Sequence, residues 1–270
     1  MTSSLRARAR PRPAPPLVAV AHGSREPGAL RTVTALLDLV RSLRPGLRVE
    51  LGHVELNEPL LPDALEALPA GEAVLVPLLL GRGHHVKHDL PEAAAAAGHL
   101  SVPIAAPLGP HPLLAEALAG RLAEAGWSAA GASRTGGVVL AAAGSRDPDS
   151  ARDAERTAAL LSARLGGVPV VPAYASAAGP TVPEAVAALR TAGRHDTVLA
   201  SYFTAPGLFA TRCARDAPGL PAARPLGAHP ALARLVLHRY DEALARARTA
   251  AREPALPALR PVRGGLARAS

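Results

Sequence analysis

Short apolar runs alternate along the chain with longer Ala- and Leu-rich stretches whose apolar positions recur at helical spacing. The runs at 17–21, 47–54, 73–80 and 101–106 read as strands, and the stretches at 28–43, 60–68, 88–97 and 112–125 read as helices. The run "AVLVPLLL" has no polar alternation, as expected of a strand buried on both faces. Strand and helix in regular succession predict an α/β fold, a parallel sheet with helices on both faces.

A small-residue, Gly-rich segment, "GWSAAGASRTG" at 126–136, interrupts this pattern, which then begins again. Strands are predicted at 137–142, 168–174 and 197–203, with a short one at 222–226 and helices between. The recurrence is also one of residues. "AHGSREP" from Ala21 returns as "AAGSRDP" from Ala142, and "LGPHPLLAEAL" from Leu108 returns as "LGAHPALARLV" from Leu226. Two matches in the same order, more than a hundred residues apart, mark a duplicated domain rather than a solenoid. The expected organisation is a disordered basic, Pro-rich arm at 1–16, an α/β domain at 17–125, a linker at 126–136, a second copy at 137–249 and a flexible tail at 250–270. Both domains are expected to be flavodoxin-like and to face each other across a cleft.

Composition narrows the function. The chain has 270 residues, about half of them apolar, enough for a substantial core. Its net charge of +8 invites a nucleic-acid reading, but the arginines lie in the tails or scattered along helices, and aromatics, at 2%, offer little for bases to stack on. A polyanionic small molecule suits the charge equally well. Cys213 is the single cysteine, so no internal disulfide or Cys-x-x-Cys motif exists and a reducing cytoplasm is the expected compartment. The N-terminus runs into prolines, and "LVAVA" is too short for a secretory apolar region. No apolar run reaches the roughly 18 residues of a membrane span, so a chain that does not cross a membrane is expected.

In an open parallel sheet, ligands bind beyond the carboxyl ends of the strands. His22 ends the first predicted strand, Glu55 the second, and His85 follows the third within "GRGHHVKHDLP". Two neutral imidazoles and a carboxylate suit a borderline divalent ion such as Fe²⁺, Co²⁺, Ni²⁺ or Zn²⁺ and leave coordination positions open. The same groups accept protons near neutral pH.

At these residues the chain resembles the class II chelatases of sirohaem and cobalamin synthesis, the sirohydrochlorin ferrochelatases and cobaltochelatases. The markers are "AHGSREP", "VELNEP" from Val54 and "PLLLGRGHHVKHDLP", in order and at these spacings, and the resemblance covers 17 to about 249. It implies that His22 and His85 are the active-site histidines and metal ligands, His85 being placed by its distance of four residues from Asp89-Leu90-Pro91. Glu55 matches the family's acidic active-site residue, although Glu58 is close enough to compete, and His84 falls on a variable position. The implied reaction is insertion of Fe²⁺ or Co²⁺, iron favoured, into the tetrapyrrole sirohydrochlorin, without ATP and with no cofactor beyond the metal. In the second copy Ala143, Ser176 and Phe209 stand where His22, Glu55 and His85 would be. Double-length family members are read as fused repeats with one surviving site, so this half is expected to close the cleft and the chain to act as a monomer.

Other positions carry weaker assignments. Ser24, Arg25, Arg82 and Lys87 flank the proposed crevice and suit a carboxylate-rich substrate. Gly23 and Ser24 precede a helix as a phosphate-binding turn would, but neither Gly-x-Gly-x-x-Gly nor a P-loop is present, so a nucleotide is not expected. His84 and His88, spaced i, i+4, suit a metal on one helix face, although an exposed helix start explains them as well. His53, His99 and His195 read as surface or packing residues. His111 and His229, each in Gly-x-His-Pro, read as structural starts to a helix. Two other functions fit the same residues: a metal or tetrapyrrole carrier without turnover, and a metal-dependent hydrolase that activates water.

Overall fold

A computed structural model describes residues 13–252 of the chain. In the first half, β1 (Leu17–Ala21) is the middle strand of a parallel sheet, between β2 (Val49–His53) and β4 (Val74–Pro77). β3 (Gly71–Glu72) and β5 (Leu100–Ser101) form a short parallel pair beside it. The helices are α1 (Pro27–Leu43), α2 (Leu61–Glu66), α3 (Leu90–Ala96) and α4 (Pro112–Glu124). α1 shows why they form: a proline opens it, and Ala29, Val33, Leu36, Leu37 and Val40 recur at three- and four-residue steps on its one buried face.

After a short α5 (Ala129–Ala132) the plan repeats. β6 (Gly136–Ala142) lies between β7 (Val170–Tyr174) and β8 (Asp196–Ser201), all parallel. α6 (Pro148–Arg164), α7 (Val182–Thr191), α8 (Leu208–Arg215) and α9 (Pro230–Ala250) accompany them.

The fourth strand of each half is slighter than expected. The predicted run at 101–106 keeps only the end of β5 and a bridge from Ile104 to Leu75, and the run at 222–226 keeps one bridge from Ala222 to Leu199. Pro103 and Pro107 crowd the first, Pro221 and Pro225 the second, and a proline cannot donate to a ladder. The expected N-terminal arm and C-terminal tail lie mostly outside the described residues. Its last prolines are held: Pro15 O accepts from Tyr240 Oη at 2.7 Å, and Pro16 O from Val74 N at 2.9 Å.

The final helix of each half crosses to the other half. α4 packs on α6 and β8, α9 packs on α1 and β4, and the two helices pack on each other. One apolar cluster therefore joins Leu17, Leu36 and Val76 to Leu140, Leu161 and Tyr240. The exchange is pinned reciprocally by two buried arginines at equivalent repeat positions. Arg121 of α4 donates to Leu226 O at 2.9 and 2.6 Å, and Arg239 of α9 donates to Leu108 O at 3.2 Å. Each is also paired with a glutamate three residues on, Glu124 and Glu242. His111 and His229 cap these helices, each Nδ1 accepting a backbone N–H two residues on at 3.1 Å. Where α4 meets α9, a Cβ on Gly120 would stand 2.5 Å from His229 Nε2, so close packing there requires glycine.

Candidate active site

The site begins with a backbone clasp at the end of β1. Val54 N donates to Ala21 O at 2.9 Å and Glu55 N to His22 O at 3.0 Å, which brings the strand-end loop of β2 against that of β1. Gly23 makes the approach possible: it adopts φ +99°, and a Cβ there would fall 1.8 Å from Glu55 O. Asn57 locks the turn by accepting from Ser24 N at 2.7 Å.

The clasp sets the His22 imidazole and the Glu55 carboxylate 3.6 Å apart, Nδ1 to Oε1, both about half exposed. His85 arrives from the loop after β4 on a π-helical turn, His85–Asp89. Its ring stands edge-on to that of His22, with centroids 4.7 Å apart. The three residues expected to share a site are thus brought together. Glu58 is engaged elsewhere: its carboxylate accepts from Leu60 N at 3.2 Å, at the start of α2.

Asp89 is the member that sequence reasoning missed, having served only as a marker for His85. Its Oδ2 lies 2.5 Å from His85 Nδ1, so Nε2 is left as the nitrogen free to act. A carboxylate in this position fixes the tautomer and ring orientation. The four-residue spacing on a helical turn was the available signal. Among the described residues no three His, Cys, Asp or Glu side chains converge as a ready-made metal cage.

The expected substrate-contacting residues divide. Arg25 is exposed at the rim, and Ser24 Oγ accepts from Glu26 N at 3.1 Å, shaping the start of α1. Arg82 and Lys87 do not present free cations to the crevice: both are engaged by the second half. Arg82 grips Asp153, which is 1% exposed, and Lys87 bonds Asp147 at 2.6 Å and Asp149 at 2.9 Å. Those hydrogen bonds raise the lysine pKa and hold both aspartates below the usual carboxylate range. Sequence near a crevice reveals a charge but not its partner, which here lies sixty or more residues away.

Two further bonds fix the loop that leads to His85. Tyr202 Oη donates to Leu80 O at 2.8 Å and Thr204 Oγ1 to Leu78 O at 2.9 Å. Burial pushes the Tyr202 phenol far above its ordinary pKa, so it stays protonated as a donor. The second half thus holds the loop of the first that carries His85.

That half repeats the clasp without the chemistry. Ser176 N donates to Ala143 O at 3.0 Å, and a Cβ on Gly144 would fall 1.8 Å from Ser176 O, yet no imidazole or carboxylate stands there. Register confirms the third equivalence: Leu78 N bonds Val20 O as Tyr202 N bonds Ala141 O, which aligns Phe209 with His85. Elsewhere, His53 is buried against Pro59 O, His99 is 3.2 Å from Leu68 O and His195 is exposed. Burial raises the Cys213 thiol to about 11, which leaves it inert.

Two fused α/β repeats, with an imidazole pair and carboxylate at the strand ends of one copy alone, define a protein of chelatase architecture. The chain belongs to the CbiX family, whose model matches residues 16–125 and again 137–243. It is 30% identical over 240 residues to the sirohydrochlorin ferrochelatase of Bacillus subtilis, covering 84% of this chain and 90% of that one. A sirohydrochlorin cobaltochelatase of Methanococcus aeolicus matches over 79 residues at 33% identity, 28% of this chain and 55% of that protein. The solved structure of SirB from Bacillus subtilis with Fe³⁺ superposes with TM-score 0.70 at 25% identity, covering 86% of this chain and 96% of that one.

Proposed function

We propose that this chain inserts Fe²⁺ or Co²⁺ into sirohydrochlorin at the single site of its first half, without ATP. The observation that carries the reading is the convergence of His22, His85 and Glu55 in one copy, beside an equal scaffold that lacks all three. The relatives named above supply the substrate.

His85, oriented through Nδ1 by Asp89, offers Nε2 to the incoming metal. His22, beside Glu55, accepts a pyrrole proton; Glu55 takes the second, and both release to solvent because each is half exposed. Two protons leave as the divalent ion enters, so charge balances at the ring. The flat macrocycle needs an apolar seat, and three of the five large apolar side chains left exposed among the described residues lie where one is required. Leu56 follows Glu55. Leu208 and Phe209 follow Gly207, where an added Cβ would lie 3.7 Å from Ser24 Oγ. The substrate's carboxylates fall to Arg25, with Ser24 beside it. The reaction belongs to sirohaem or cobalamin synthesis in the cytoplasm, carried out by a monomer in which the fused repeat takes the place of a second subunit.

The test is the anaerobic absorbance of sirohydrochlorin with Fe²⁺ or Co²⁺, with and without the protein and with no ATP. Rates above the spontaneous reaction support the proposal. Binding of metal or macrocycle without acceleration would make the chain a carrier.

A further inference from the structure

The π-helical turn divides three neighbouring histidines between two places. His85 meets His22, whereas His84 and His88 line a cavity of about 750 Å³ against the second half, with Ser145, Arg146 and Asp147. Their rings lie 4.7 Å apart, tilted by 36°, and His84 is 73% exposed. The pair does not stand alone. His84 Nε2 lies 3.7 Å from Asp89 Oδ1, and the other oxygen of that carboxylate orients His85. The His84 and His85 rings are 6.2 Å apart. Four imidazoles therefore run in series from cavity to active site, His88, His84, His85 and His22, with centroid steps of 4.7, 6.2 and 4.7 Å.

The geometry points to His84 and His88 as a second, outer docking site for a borderline divalent cation such as Co²⁺, Fe²⁺ or Ni²⁺. Two imidazoles one helical turn apart replace two waters of a hydrated ion and leave the rest of its shell in place. Such a site holds an ion without trapping it, as a delivery step needs. The cavity also holds three cationic side chains: Lys87 is paired with Asp147 and Asp149 and Arg152 with Asp149, and Arg146 shares the lining, so the two imidazoles rather than local charge would hold the ion. The shared Asp89 carboxylate gives the outer ion a route to His85. Docking stands by itself; the relay rests on the chelatase reading above.

The experiment is calorimetric titration of Co²⁺ alone into the full chain, into His84→Gln/His88→Gln and into His22→Gln/His85→Gln. The wild type binds one more equivalent of Co²⁺ than His84→Gln/His88→Gln, and His22→Gln/His85→Gln keeps that equivalent. Equal stoichiometry in wild type and His84→Gln/His88→Gln overturns the site. With sirohydrochlorin present, the outer-pair variant raises the KM for metal about tenfold at unchanged kcat. An unchanged metal KM overturns the relay. The Co²⁺ count decides the docking site even if the wild type proves unable to metallate the macrocycle.

Discussion

Arg82 and Asp153 tie the two halves together directly beside the loop that carries His85. Two guanidinium nitrogens donate to the two carboxylate oxygens at 3.0 and 2.7 Å, and the Arg82 backbone N–H adds a third bond at 2.9 Å. His85 lies three residues further on. The second copy therefore positions the loop that carries His85, and if His85 acts as proposed Asp153→Asn lowers kcat by about 10- to 100-fold, because small displacements of reacting groups carry penalties of that size. Initial rates on protein whose circular dichroism matches wild type, with the KM for sirohydrochlorin little changed, would bear this out. Unaltered kcat would show that the loop holds its shape unaided.

His111 and His229 make stability fall in acid. Burial, reinforced by Arg239 for His111 and by Arg121 for His229, lowers both pKa values below the ordinary 6.5. Each cap also needs an unprotonated Nδ1 to accept the backbone N–H. A histidine whose folded pKa is depressed contributes stability that is full above about 6.5 and is lost as pH falls through the folded value. Each cap is worth about 1 kcal/mol, and its contribution begins to fall once the pH drops below about 6.5. Thermal melts as a function of pH measure it, and His111→Asn/His229→Asn, which caps without titrating, flattens the curve.

The twin glycines separate fold from chemistry. Gly23→Ala and Gly144→Ala each force a Cβ onto a carbonyl at a positive φ; the backbone strain alone is about 1–3 kcal/mol, and the clash must be relieved by moving the facing loop. Both variants melt earlier than wild type. Only Gly23→Ala moves Glu55 away from His22, so activity per folded molecule drops sharply there and modestly in Gly144→Ala.

Much of this was legible in the sequence. Apolar runs located β1, β4 and β6, and the doubled "HGS"/"AGS" and "HP" segments disclosed the repeat before any coordinates. The strand ends singled out His22, Glu55 and His85. The exchange of α4 and α9 was not legible, because periodicity shows which face of a helix is apolar and not which sheet it covers. The partners of Arg82 and Lys87 were hidden for a related reason: both lie in the other copy. A signal did exist in Arg121 and Arg239, each 13 residues beyond the Leu of its "LG" segment, and in the Glu three residues after each.

Those arginines supply a stability prediction. Arg121→Met or Arg239→Met removes charged donors from a buried carbonyl, bonds worth about 1.5–3 kcal/mol. The urea midpoint falls correspondingly at an unchanged m-value, and the double variant loses more than either single one. A midpoint equal to wild type in both would mean that the exchanged helices are held by apolar packing alone.

On the proposed reading, one constellation in one copy carries the reaction. Its most direct test is the anaerobic initial rate of sirohydrochlorin metallation by wild type, His22→Ala, His85→Ala and, as a control in the other copy, Ser176→Ala. Both histidine variants are expected to fall to the spontaneous rate while remaining folded, and Ser176→Ala to keep the wild-type rate. A wild-type rate in His22→Ala or His85→Ala, or loss of activity in folded Ser176→Ala, would contradict that reading.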